Sequence, residues 1–180
     1  FAVTEATSGE RALRLLGDWL PDVVVLDAVM PGLCFVQANL SITRQRGTLR
    51  GLELTASRQF DALSLGLWAT LLDTENRSAS YWGNELPRRG PRSARVDGDY
   101  QWGIWSLGAS WLLEDKRYDN QANTVRMAGY GLLDVRGSVE LTSAWQLQLR
   151  IGNLFDKAYE TVAWYNQPER NATLTLSYRP

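Results

Sequence analysis

The sequence has no histidine, a single cysteine and no apolar run long enough to cross a bilayer as a helix. Each absence removes a class of function. Without histidine there are no histidine-based triads, no histidine general bases and none of the common zinc sites. Cys34 stands alone, which excludes an internal disulfide and a thiolate metal cluster. No segment approaches the roughly 18 consecutive apolar residues of a transmembrane helix. A net charge of −1 leaves no broad basic surface, so no nucleic-acid partner is expected. No enzymatic activity, cofactor or metal is expected. The chain also opens at Phe1 without the charged and apolar segments of a secretion signal.

What is abundant is aromatic. Eight tryptophans and seven tyrosines fall mainly after residue 80. Both residue types favour membrane interfaces, where a ring can be apolar on one side and wet on the other. At 180 residues the chain has the length of one medium domain or two small ones.

The stretch 145–162, WQLQLRIGNLFDKAYETV, organises the reading. It begins with strict alternation: Trp145, Leu147, Leu149 and Ile151 on one face, Gln146, Gln148, Arg150 and Gly152 on the other. It then breaks at Asn153-Leu154-Phe155-Asp156-Lys157, with Tyr159 following. Asparagine and aspartate there suit a turn, satisfying backbone groups rather than touching a substrate.

The same alternation recurs upstream. Leu52, Leu54 and Ala56 oppose Glu53, Thr55 and Ser57, and Gly51 marks a bulge or a close-packing site. Leu63 to Leu71, Val96 to Trp102, Leu133 to Leu141 and Leu174 to Tyr178 follow the same rule, and 104–113 does so less regularly. Long polar stretches near 73–92, 114–125 and 161–171 alternate with short turns near 59–61, 103 and 142–144. The spacing predicts about seven strands, or eight, with 33–41 either a strand stub or a connecting loop. Strands with one apolar and one polar face, joined by alternating short turns and long loops, suit a transmembrane barrel wall. A soluble β-sandwich also alternates and is the competing architecture.

Residues 1–32 read differently. Thr7 and Glu10 have capping-box spacing, and Ala12, Leu13, Leu16 and Leu20 follow at helical intervals. The run 22–27 then suits a strand buried in a parallel sheet, with Asp27 at its carboxyl end. The expected fold class is therefore mainly β, an antiparallel transmembrane barrel fragment preceded by a short β-α-β fragment. The division is 1–32 and 33–180.

Two resemblances attach to these residues. The run NLFDKAY, with Arg50-Gly51-Leu52-Glu53-Leu54 and Leu86-Pro87-Arg88-Arg89 upstream, resembles the C-terminal part of TonB-dependent outer-membrane receptors. NLFDKAYETV, with Tyr165 and Arg170 beyond it, is most similar to the cobalamin receptors of that family. The resemblance implies an outer-membrane wall segment of a barrel of roughly 22 strands. It also implies lipid, TonB and a large nutrient complex as partners, cobalamin first and a ferric siderophore second. The family's plug and TonB-contacting segment are not in this sequence. A chain bound for that membrane should carry a secretion signal, so a piece of a longer product is expected.

The string VTEATSGERALRLLGDWLPDVVVLDAVMPG resembles part of a response-regulator receiver domain, whose phosphoacceptor aspartate matches Asp27. The receiver's acidic metal pair, Ser/Thr and lysine are missing, so Asp27 is expected to be chemically idle. A receiver-containing signalling fusion and a chimeric, non-functional product are the alternatives. Arg50, Gly51, Glu53, Asn153, Leu154, Phe155, Asp156, Lys157 and Tyr159 are expected to serve structure. The inward charges Glu53, Arg95, Asp97, Asp99, Asp134, Arg136, Glu140 and Arg150 are expected to be wall residues. A carboxylate pair such as Asp97 and Asp99 can suggest acid–base chemistry, with Arg95 nearby suited to pairing. Tyr81, Trp82, Tyr118, Trp164 and Tyr165 are loop aromatics able to stack on a ligand or to pack at the surface.

Overall fold

The computed structural model describes residues 23–28, 35–44 and 47–179. The strands are β1 (Val23–Ala28), β2 (Phe35–Arg44), β3 (Gly47–Phe60), β4 (Leu63–Asn76), β5 (Arg92–Trp102) and β6 (Trp105–Glu114). They continue with β7 (Arg117–Tyr118), β8 (Arg126–Met127), β9 (Tyr130–Glu140), β10 (Trp145–Gly152), β11 (Glu160–Val162), β12 (Tyr165–Asn166) and β13 (Asn171–Tyr178). Nine of them form one sheet in the order β1-β2-β3-β4-β5-β6-β9-β10-β13, every neighbouring pair antiparallel. Two small ribbons, β7–β8 and β11–β12, decorate the connections β6 to β9 and β10 to β13.

The seven sheet strands from Gly47 onward follow the alternation of the sequence; β1 and β2 bring the sheet to nine. The links 61–62, 103–104 and 141–144 lie at one end of the sheet, and 77–91, 115–129 and 153–170 lie at the other. Asp61 (φ 44°) and Gly103 (φ 56°) each open a two-residue link in the left-handed region. Such links match the right-handed twist of the strands they join. Gly51 is a close-packing position and no bulge: the β3–β4 register runs unbroken, and a Cβ there would lie 2.7 Å from Leu72 Cδ2.

Because residues directly opposite one another point to the same side, the register fixes two unlike faces. On one, Leu67, Val96, Trp111 and Leu133 form a row across four strands, and Tyr100 stands opposite Leu107. Toward the short-turn rim this face carries Phe60, Tyr100, Trp102, Trp105, Trp145 and Tyr178, all exposed. On the other face, Asp97, Ser110 and Asp134 line up, as do Asp99, Gly108, Arg136, Arg150 and Thr173.

Among the described residues no second layer covers the apolar face. Among the described residues the only buried apolar side chains are Met127 and Ala163, both outside the main sheet, and no large side chain is fully buried. Leu107 is 56% exposed and Trp111 53%. A sandwich would bury these positions in a core about 10 Å thick between two sheets. The arrangement therefore removes the sandwich architecture. The sheet is also open among the described residues, with β13 at one edge and β1 at the other.

The N-terminal stretch differs from the expected parallel β-α-β. The helix expected after Thr7 lies outside the described residues. The run Val23–Ala28 is a strand, but it pairs antiparallel with β2, Asp27 standing opposite Gln37. A link of residues 29–34 is too short for a parallel crossover, which needs a dozen or more residues. A continuous apolar run fits either pairing, and here the link length selects the antiparallel one. The pairing also crosses the expected division at residue 32.

Candidate functional site

The polar face carries a charge network spanning β5, β6, β9 and β10. Arg95 grips Asp97 with two hydrogen bonds, 2.8 and 2.9 Å. Arg136 reaches Asp99 from two strands away, its Nε donating at 2.9 Å and its Nη2 at 2.5 Å. That reach passes over Gly108, where a Cβ would lie 2.6 Å from Arg136 Nε. The glycine of β6 is thus the gap through which β5 and β9 are joined. Ser110 donates to Asp97 and accepts from Arg136 Nη1, linking the two pairs. Arg150 donates to Asp134 at 2.6 Å, and the Asn153 N–H donates to the other Asp134 oxygen at 2.9 Å.

Asp97 and Asp99 are therefore not an acid–base pair, since each is held by its own arginine. A hollow of about 710 Å³ opens over this face, lined by Arg95, Ser110, Asp134, Arg136, Gln148 and Arg150 among others. Its three arginines are already matched by Asp97, Asp99 and Asp134. The face is a neutralised, wettable wall. Arg50 and Glu53 lie on β3 opposite Asp73 and Thr70.

At the long-loop end the three connections are pinned together. Asn123 clamps Glu85 in both directions, accepting from its N–H at 2.8 Å and donating to its carbonyl at 3.0 Å. Arg88 donates to Asp119 at 2.8 Å, while the Arg88 N–H donates to the Tyr118 carbonyl at 2.6 Å. Asp119 also accepts from the Ala163 N–H at 3.4 Å. Buried Arg117 donates to the Glu160 carbonyl at 3.0 Å and sits 5.5 Å from the Tyr130 ring, which in turn meets Tyr159 at 4.7 Å. Loop 115–129 is the hub to which the other two loops attach.

The Arg88 guanidinium, hydrogen-bonded to Asp119, holds that carboxyl below its ordinary range against the opposing effect of burial. A carboxylate whose value is lowered on folding contributes stability that is complete at neutral pH. That contribution is lost as the pH falls through the ordinary carboxylate range to the lowered value. Amide exchange at Arg88, corrected for the intrinsic rate, should therefore accelerate on acidification. Asp119→Asn should raise exchange at neutral pH and flatten the acid response; an unchanged acid response in that variant would rule the pair out as its source.

The motif 153–157 is a built turn. Asn153 is 5% exposed, with φ 52°. Its side chain accepts from the Lys157 N–H and donates to the Lys157 carbonyl, both at 2.9 Å. Its carbonyl accepts from the Asp156 N–H at 2.9 Å. Asp156 (φ 54°) accepts from the Arg170 N–H at 2.8 Å, and the Leu154 N–H donates to the Leu133 carbonyl at 2.7 Å. Phe155 projects outward, 75% exposed.

The β11–β12 link carries a different strain. Val162 stands opposite Tyr165, so Ala163 and Trp164 make the turn, with Trp164 at φ 67°. The second position of such a turn ordinarily takes glycine or asparagine. A side chain with a Cβ there costs about 1–2 kcal/mol. Trp164 N–H donates to Glu160 Oε2 at 3.2 Å, and the indole is 78% exposed. Of the other loop aromatics, Trp82 and Tyr165 are exposed and Tyr81 and Tyr118 half-buried. Asp119, Asn123, Arg117 and Gly108 were not legible as site residues. Only the Asp/Asn-rich run 119–123 hinted at a structured turn.

An open antiparallel sheet with an uncovered apolar face, an aromatic rim and a salt-bridged polar face is a segment of a membrane β-barrel wall. Residues 19–154 match the family described as TonB dependent receptor-like, beta-barrel. The chain belongs to that family, which is one of transport receptors and not of enzymes. It is 31% identical over 161 residues to the vitamin B12 transporter BtuB of Photobacterium profundum, covering 89% of this chain and 25% of that protein. The chain thus spans about a quarter of that relative's length. Its fold matches the siderophore receptor PiuA from Acinetobacter baumannii with a TM-score of 0.77 at 22% identity, over 86% of this chain and 27% of that one. It also matches the ferric yersiniabactin uptake receptor FyuA from Yersinia pestis with a TM-score of 0.68 at 17% identity, over 85% and 27%.

Proposed function

We propose that this chain forms part of the wall of an outer-membrane receptor that imports cobalamin with energy supplied through TonB. The observation that carries the membrane assignment is the uncovered apolar face set against the charge-paired polar face. In water such a face would expose far more apolar surface than a soluble monomer tolerates. In a bilayer it is the side that meets lipid, and the polar face meets a wet lumen. The preference for cobalamin rests on the 31% identity to a vitamin B12 transporter and on the NLFDKAYETV run. A ferric siderophore is the second choice, in keeping with the siderophore receptors that share the fold.

In this reading the 153–157 turn and the 50–53 segment serve the architecture, the pinned loops face the outside, and Asp27 carries no phosphoryl chemistry. The experiment is uptake of labelled cyanocobalamin by cells producing the natively expressed protein, with and without functional TonB. TonB-dependent accumulation is the expected result. Accumulation of a ferric siderophore in its place would move the substrate class, and recovery of the protein outside the outer-membrane fraction would overturn the reading.

A further inference from the structure

We propose that Trp164 is the side chain with which these loops grip a flat, uncharged ring face of the imported ligand, its left-handed backbone being the means of display. The inference rests on the import reading above and adds the contact residue and the chemistry of the contact.

Three observations converge on this one residue. Its backbone occupies a conformation (φ 67°) that glycine or asparagine would adopt with less strain. Its indole is the most exposed large apolar side chain among the described residues, at 78%. Among those residues, neither of the paired aromatic rings and none of the arginine–ring contacts involves it. Tryptophan is thus unfavourable here for the backbone and for solvation, and among the described residues no ring–ring or arginine–ring contact offsets either.

The support beneath it is firm. Glu160 accepts from the Trp164 N–H, Asp119 accepts from the N–H of buried Ala163, and Arg117 holds the Glu160 carbonyl. The Gln167 N–H closes the ribbon on the Tyr159 carbonyl at 3.1 Å. A strained, exposed ring on a pinned hairpin is held ready for something outside the chain. Tyr165, 69% exposed, stands next to it. Glu160, which accepts from the Trp164 N–H, sets a carboxylate at the base of the turn, while Arg88 and Asp119 neutralise each other. The hairpin therefore offers an aromatic face beside a carboxylate, which suits the uncharged face of a conjugated macrocycle and repels a polyanionic chelate.

The test is equilibrium binding of cyanocobalamin to the natively expressed protein in outer-membrane preparations, with thermal stability measured on the same samples. Trp164→Asn relieves the backbone and removes the ring. It should leave the melting temperature unchanged or higher while weakening binding about tenfold or more, the scale of a buried tryptophan contact. Trp164→Phe should keep most of the affinity. Wild-type affinity in Trp164→Asn would overturn the proposal and leave the import reading standing. A fall in stability that accounts for the lost binding would overturn it in favour of a packing role, including packing against lipid. Wild-type protein that binds no cyanocobalamin would overturn the cobalamin reading and this inference with it.

Discussion

Asn153→Ala is expected to destabilise the wall by about 2–4 kcal/mol, a loss summed from two sources. The first is the carboxamide, which occupies both the N–H and the carbonyl of Lys157 from a side chain only 5% exposed. Alanine removes both hydrogen bonds, each worth about 0.5–1.5 kcal/mol net, and leaves the exposed Lys157 groups to water. The second is conformational. At φ 52° asparagine is tolerated because its short polar side chain bonds locally, whereas alanine pays the full Cβ penalty. Two further variants separate the terms. Asn153→Gly accepts the backbone angle and should recover only the conformational part. Asn153→Asp keeps an acceptor for the Lys157 N–H but loses the donor, and it adds a carboxylate beside Asp134, which already accepts from the Asn153 N–H. It should fall between wild type and alanine. Urea unfolding of the protein in lipid bilayers reads all three. A loss below about 0.5 kcal/mol for alanine, the range of ordinary surface substitutions, would show that the turn does not depend on this side chain.

The consequence reaches past the turn. The Asn153 N–H bonds to Asp134, Asp134 pairs with Arg150, and the Leu154 N–H bonds to the β9 carbonyl of Leu133. The motif therefore fixes where β10 stops against β9 and where the chain departs toward the β11–β12 ribbon. Gly152, buried beneath Asn171, marks the same level on β13. In contact terms the 153–157 motif is a strand terminator.

How much of this could be read in advance follows from what imposes each feature. From Gly47 onward the bilayer and the lumen demand opposite chemistry on alternate residues, so period two is written along every strand and the faces are legible. Turn positions were legible for the same reason that Asp61 and Gly103 occupy them: few residues adopt a left-handed backbone. β1 and β2 were misassigned or left open because a continuous apolar run does not say which way its partner runs. The loop pins were invisible. Asn123 and Glu85 are 38 residues apart, and Asp119 and Ala163 44 apart. No periodic signal connects such positions; the register must first bring the strand ends together. The same holds for Gly108. Asp99 and Arg136 were legible as wall charges, but only the alignment of β5, β6 and β9 reveals that they meet over a glycine.

Val96→Arg should be the most damaging single charge that this wall can take, at about 2–4 kcal/mol, the penalty for arginine on a lipid face near the bilayer midplane. Val96 lies midway along β5, 44% exposed, between Leu67 of β4 and Trp111 of β6, and Leu133 extends the row on β9. An arginine there has no carboxylate directly opposite it, since its partners are Leu67 and Trp111 and Asp97 and Asp99 project to the other side. Its only escape is to snorkel along the strand, and from the middle of the band that path is longest. Gln148→Arg, on the polar face of β10, adds the same charge where the lumen hydrates it, and should change stability by no more than about 0.5 kcal/mol. The pair of variants is read by unfolding in bilayers and by the yield of folded protein in the outer-membrane fraction. If the exposed leucines and tryptophans faced water, the order would invert: Val96→Arg would improve solubility at little cost to the fold. Equal tolerance of both substitutions would refute the assignment of the apolar face to lipid, on which the account of this chain as a membrane wall depends.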